Sequence, residues 1–236
     1  METNGKLYLI PTVIAEDAPN AIPPSVPEAL KHIHHFLVED IRTARRYLSS
    51  LKIYEKIDDL QFSVLNKDTK ESVLDELFAP VFNGKNMGVI SESGCPGVAD
   101  PGALAVKFAH QKNIEVVPLV GPSSVVLALM ASGLSGQQFA FHGYLPIDLK
   151  EASRKIKQLE KESREKNQTQ IFIETPYRNN QVLKSLLQSL AAQTRLCVAF
   201  NLTGKTEWIK TMTVSEWKNK PHVFSKEPAV FLFQAE

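Results

Sequence analysis

The 236 residues carry a net charge of +1, with 43% hydrophobic and 22% charged side chains. That balance excludes a disordered chain and a protein that coats nucleic acid through bulk positive charge, though a local basic patch remains open. The length fits two domains of roughly 100–130 residues each, and two cysteines, Cys95 and Cys197, are too few for a disulfide framework and match a reducing compartment.

In chain order, KLYLI (6–10) reads as a first strand ending at Pro11. A Pro-studded loop (11–27) leads to a helix expected over 28–37, with Leu30, Ile33 and Leu37 on one face. FLVED (36–40) turns strand-like, and 41–51 reads as a helix with Ile41, Leu48 and Leu51 inward. A single amphipathic helix is expected over 71–82, with Val73, Leu74, Leu77 and Phe78 apolar. Strand MGVI (87–90), a long loop, a helix over 102–113 and strand IEVVPLV (114–120) follow. Gly121-Pro122-Ser123-Ser124 opens another helix, stopped by Gly133. After FAFHGYLP (139–146), a charged surface helix with many i,i+4 pairs spans about 148–166. Strand QIFIE (170–174), a helix over 179–190 and strands at 195–200, 207–214 and 229–234 complete the chain. Strands alternating with helices indicate an α/β protein with a mostly parallel N-terminal sheet, and the closing strands indicate a mixed C-terminal sheet. The expected domains are 1–119 and 120–236. No basic segment followed by an apolar run opens the sequence, and VVLALMA (125–131) is too short to span a bilayer, so a cytoplasmic location off the membrane is expected.

Open α/β sheets bind ligands at the carboxyl ends of their strands. Three loops follow predicted strands in this way, at 91–102, 121–124 and 174–178. The first, within VISESGCPGVADPG, offers Ser91, Glu92 and Ser93 beside Gly94 and is far longer than a plain turn. The second puts Ser123 and Ser124 at a helix N-terminus, which favours an anion. The third adds Glu174, Tyr177 and Arg178. Each also has a simple structural use, since Gly and Pro close turns and serines cap helices. His32 and His35 would share a helix face, but no Cys or carboxylate completes a ligand set, so no metal is expected. Cys95 has no base beside it in sequence, and packing is the simpler role for it. Tyr144 suits stacking on a base or burial under the link between the domains.

Taken together, VISESGCPGVADPG, VGPSSVVLALMASGL (120–134), FAFHGYLP and FIETPYRNN resemble the successive signatures of the tetrapyrrole methylase superfamily of S-adenosylmethionine-dependent methyltransferases. The nearest branch is similar to enzymes that methylate a cytidine 2′-hydroxyl in small-subunit ribosomal RNA. Its acidic-Asp-x-Arg segment is matched by Glu39, Asp40 and Arg42. The resemblance runs from Leu7 to about Val230. It implies two α/β domains with the donor in a cleft between them, a homodimer, and ribosomal RNA or the small ribosomal subunit as partner. Binding positions for S-adenosylmethionine carry over to Glu92, Gly94, Ser123, Ser124, Asn201, Leu202, Pro228 and Ala229. Methyl transfer is an in-line displacement, and a ribose hydroxyl gains from a base; Asp40 and Asp100 are the candidates. Arg42 and Arg178 are candidate substrate contacts, and Arg45 and Arg46 suit either phosphate or a solvated helix face. The chain departs from the branch in several places: it lacks a Gly-Asn pair after the first strand, has Glu92 for Asp and Cys95 for Thr, and lacks a His in the helix after Asp40. A corrinoid or porphyrin precursor is an alternative acceptor. The altered first loop also leaves open a protein that binds S-adenosylmethionine without transferring its methyl group.

Overall fold

A computed structural model of the protein describes residues 4–220 and 222–236. The chain separates into two compact units, Met1–Pro122 and Ser123–Glu236.

The first unit is built on a five-stranded sheet of β1 (Leu7–Ile10), β2 (His35–Val38), β3 (Gln61–Val64), β4 (Met87–Ile90) and β5 (Val116–Pro118), in the order β3-β2-β4-β1-β5. Every pairing in it is parallel. Alternate residues leave opposite faces of a strand, and both faces here are covered. Leu7, Leu37 and Val89 pack with Phe78 and Phe108 on one side. Ile10, Phe36, Val38 and Ile90 pack with Ala44, Tyr47 and Leu48 on the other. The helices are α1 (Ser25–Leu30), α2 (Ile41–Ser50), the single turns α3 (Leu74–Leu77) and α4 (Ala79–Phe82), and α5 (Gly102–Gln111).

Four local expectations change. The helix expected over 28–37 is α1, which starts at Ser25 and stops at Leu30, while 35–38 is β2. The Tyr54 hydroxyl lies 2.6 Å from the Leu30 carbonyl and 2.8 Å from that of Ile33, fixing the turn between helix and strand. Ile33 and Leu37 are buried by the sheet rather than by a helical face, and His32 and His35 therefore share no helix face. In α2, Leu48 is buried, Leu51 is half-buried at the cap, and Ile41 is 38% exposed. The helix expected over 71–82 is a 3-10 turn (Glu71–Val73) followed by α3 and α4, broken at Phe78 ahead of Pro80, which has no N–H to give. Val73 is exposed. The strand expected over 114–120 pairs only at Val116–Pro118.

In the second unit, β6 (Phe139–Tyr144), β7 (Thr169–Glu174), β8 (Arg195–Phe200), β9 (Trp208–Thr213) and β10 (Ala229–Gln234) form a sheet ordered β6-β7-β10-β8-β9. β6 and β7 are parallel; β10 is antiparallel to both β7 and β8, and β9 is antiparallel to β8. Phe172, Phe231, Phe233, Leu196 and Val198 pack under Ile156 and Leu159 of α7 (Leu149–Lys166), Val182 and Leu186 of α8 (Asn179–Ser189), and Trp217 of α9 (Val214–Asn219). The opposite face carries Cys197, whose thiol is raised by burial to about 11. There α6 (Ser124–Ser132) meets the sheet, with the Thr211 hydroxyl donating to the Ser132 carbonyl. Gly133 ends α6 in the left-handed conformation. β3, β6 and α9 are elements the sequence reading did not assign. Among the described residues, no helix is long and apolar enough to cross a membrane.

Candidate functional site

Because β1, β2, β4 and β5 are parallel, the loops that follow them leave the same edge of the first sheet. Val38 pairs with Ile90, so Glu39-Asp40 and Ser91-Glu92 depart side by side. The Thr12 N–H donates to the Gly94 carbonyl at 2.9 Å. Gly94 takes a left-handed conformation (φ +73°), and a Cβ there would lie 3.2 Å from the Pro122 carbonyl oxygen. The Cys95 thiol donates to that same carbonyl at 3.3 Å, and burial pushes its pKa up. Cys95 is thus a tether between loops rather than an activated nucleophile. The Tyr47 hydroxyl donates to the Pro11 carbonyl at 2.8 Å, tying the loop after β1 to α2. The loops after β1, β4 and β5 are knitted into one ledge. In it the Thr12 hydroxyl is buried and has no hydrogen-bond partner among the described residues. An orphaned buried hydroxyl is costly unless something meets it.

The two candidate catalytic carboxylates both have structural tasks. Asp100 Oδ1 accepts from the Gly97 N–H at 2.9 Å and the Gly102 N–H at 2.7 Å, bracing the loop and capping α5. Asp40 caps α2, accepting from the Thr43 N–H at 2.7 Å, and that bond holds its carboxyl below the usual carboxylate range. Glu39 behaves in the opposite way. Burial, then the neighbouring charges of Glu92 and Asp100, raise its pKa, and Lys67 only partly offsets them. Glu39, Glu92 and Asp100 are therefore electrostatic neighbours at the end of the sheet. Beside them an open pocket of about 500 Å³ is lined by Glu39, Asp40, Ile41, Arg42, Arg45 and Val64. Arg45 is paired with Asp58 and lies 5.8 Å from the centroid of the Phe62 ring, and Arg46 pairs with Glu16 at 2.9 Å. Among the described residues, Arg42 alone of these three makes no ion pair.

In the second unit, antiparallel pairing brings the start of β10 against the ends of β7 and β8. Ala229 is level with both Glu174 and Phe200. The Asn201 N–H donates to the Pro228 carbonyl at 2.9 Å, and the Asn201 side chain donates to Thr206 at 2.6 Å. Asn201, left-handed at φ 47°, and the buried Leu202 thus sit beside Pro228 and Ala229. Arg178 is engaged there too. Its guanidinium lies 3.2 Å from the buried carboxylate of Glu174 and donates to the Pro146 carbonyl at 3.1 Å. Tyr177 is 80% exposed next to it. Ser123 caps α6 and Ser124 is its first residue.

The sequence motifs agree with what comparison finds. The family model described as Tetrapyrrole (Corrin/Porphyrin) Methylases matches residues 13–218. The chain is 32% identical to a Ribosomal RNA small subunit methyltransferase I of Vibrio cholerae, over 89% of this chain and 69% of that one. It is 31% identical to the Bacillus subtilis protein of that name, over 94% of this chain and 75% of that one. In fold it resembles a uroporphyrin-III-C-methyltransferase from Thermus thermophilus, with a TM-score of 0.56, 17% identity, and coverage of 98% of this chain and 92% of that one. A structure of the Thermus thermophilus enzyme in complex with S-adenyl homocysteine gives a TM-score of 0.55 at 16% identity, covering 98% of this chain and 97% of that one. The chain belongs to the tetrapyrrole methylase family of S-adenosylmethionine-dependent methyltransferases.

Proposed function

We propose that this methyltransferase acts on small-subunit ribosomal RNA, at a ribose 2′-hydroxyl, in the cytoplasm and as a homodimer. The observation that carries the acceptor is the likeness, along nearly the whole chain, to enzymes named for small-subunit ribosomal RNA. S-adenosylmethionine supplies an electrophilic methyl group on a sulfonium. The first-sheet ledge suits such a ligand: Glu92 sets a carboxylate near positive charge, Gly94 lets the backbone approach, and the unpartnered Thr12 hydroxyl has a hydrogen bond to give. Ser123 and Ser124, with Asn201, Leu202, Pro228 and Ala229, complete the set of residues we assign to the donor.

The protein's main contribution is positioning, because an in-line displacement needs donor and acceptor on one axis. Arg42, which makes no salt bridge among the described residues, is the substrate contact we retain; Arg178 is engaged by Glu174 and Pro146 and stiffens its loop instead. Asp40 is a poor base while it caps α2. For the hydroxyl proton we retain Asp100, whose Oδ1 alone is engaged by backbone N–H groups.

Calorimetric titration with S-adenosylmethionine tests donor binding, and a labelled-methyl assay then compares small ribosomal subunits with a porphyrin precursor. Label in the subunits is expected. Label in the porphyrin alone would replace the acceptor, and donor binding with no transfer to either would point to a binding protein without activity. Light scattering on the purified chain tests the dimer, for which a monomer mass is the contrary result.

A further inference from the structure

The pocket beside the donor ledge has an unusual mixture of linings. Two carboxylates, Glu39 and Asp40, two guanidinium groups, Arg42 and Arg45, and the aliphatic side chains of Ile41 and Val64 line it. Ile41 is 38% exposed and Val64 42% exposed, although both are apolar. Its volume of about 500 Å³ lies within the range of small-ligand sites.

The charges argue against a phosphate. A phosphate presents acceptors only, so Arg42 would attract it while Glu39 and Asp40 repelled it. A nucleobase differs: its hydrogen-bonding edge alternates donors and acceptors, and its ring faces are apolar enough to lie on aliphatic side chains. Glu39 accepts and Arg42 donates; among the described residues neither side chain is in a salt bridge, although the Arg42 charge acts on the neighbouring Asp40. Arg45 is already paired with Asp58 and lies over the Phe62 ring. Asp40 is fixed by its bond to Thr43. The register Val38↔Ile90 places this pocket directly beside the loop that carries Glu92 and Gly94.

We propose that this pocket seats one unpaired base of the RNA substrate, with its face on Ile41 and Val64 and its edge read by Glu39 and Arg42. The inference rests on the RNA acceptor proposed above. It makes Arg42 a reader of base identity rather than a clamp on the backbone, and it requires the nucleotide to leave any helical stack before it binds.

Salt separates the two roles, because phosphate contacts release counterions and base contacts do not. Purified small-subunit ribosomal RNA is titrated with the full chain across a salt series. Arg42→Ala is expected to weaken binding by about tenfold at every salt concentration, with the slope of log affinity against log salt unchanged. Glu39→Gln, which keeps the shape of the side chain, is expected to weaken it in the same way. S-adenosylmethionine affinity, measured on the same samples, reports that each variant is folded. A slope that becomes shallower by about one contact in Arg42→Ala would overturn the proposal in favour of a phosphate clamp. Unchanged RNA affinity in both variants would overturn it outright. If the unaltered chain binds S-adenosylmethionine but neither purified RNA nor small ribosomal subunits, the acceptor reading itself fails, which is a distinct result from unaffected variants.

Discussion

Asp100 holds two backbone N–H groups on one oxygen, so two substitutions there separate its tasks. Asp100→Ala removes both bonds and is expected to destabilise the first unit by about 1 kcal/mol, as loss of a cap does. Asp100→Asn keeps an accepting oxygen and is expected to leave the urea midpoint nearly unchanged. If Asp100 takes the ribose proton, the Asn variant loses about a hundredfold or more in kcat with donor affinity intact. Unchanged kcat would leave Asp100 a brace and nothing more. Glu39 gives a pH signature. Its pKa is raised in the folded protein, so the folded state holds that proton more tightly than the unfolded state. Stability from this group is full below the ordinary carboxylate pKa and is lost as pH rises through the raised value. Glu39→Gln is therefore expected to raise the melting temperature at pH 7 and to make no difference near pH 3. An equal gain at both pH values would contradict the electrostatic cause.

At the scale of elements, the site depends on loops that approach one another closely. A Cβ at Gly121 would fall 2.1 Å from the Pro11 Cβ, inside van der Waals contact. Gly121→Ala is expected to push apart the loops after β1 and β5, costing about 1–3 kcal/mol in urea unfolding and weakening donor binding. Full donor affinity in that variant would show that the ledge is not part of the donor site. In the second unit, Arg178→Ala strands the Glu174 carboxylate, which is almost wholly buried, and is expected to cost about 3 kcal/mol. Reduced RNA affinity with unaltered stability would instead restore Arg178 as a substrate contact. The sequence made the long, regular elements legible. Strands at 195–200 and 229–234 coincide with β8 and β10 because they lie inside the sheet and are apolar over 196–200 and 229–233. Helix boundaries near 148 and 133 were signalled by the Asp148 cap and by Gly133. Short pieces were not legible. β3, QFSV, is an edge strand whose polar-apolar alternation runs for only four residues, too short to stand out without its pairing to β2. The start of β2 was read as the end of a helix because Leu37 continued the spacing of Leu30 and Ile33, although FLVED already had a strand-like pattern.

Across the whole molecule, motif order along the chain pointed to the methyl donor more directly than to its acceptor. The loops that leave β4 and β5 carry Gly94, Cys95, Gly121 and Pro122, and these residues meet in space. The roles of single charged residues were hidden, since each depends on partners remote in sequence. Arg45 meets Asp58, Arg46 meets Glu16, and Arg178 meets the Pro146 carbonyl. Neither Glu39's proximity to Glu92 and Asp100 nor the pocket beside it could be read from spacing, because they arise where β2 and β4 lie side by side. With a net charge of only +1, recognition of RNA rests on such local features rather than on a bulk field.

The most direct measurement is methyl transfer from labelled S-adenosylmethionine to small ribosomal subunits taken from cells lacking this protein, followed by digestion of the RNA to nucleosides. The expected result is label in a single 2′-O-methylated nucleoside of the small-subunit RNA. Label on a base, in ribosomal protein, or only in a tetrapyrrole would contradict the account.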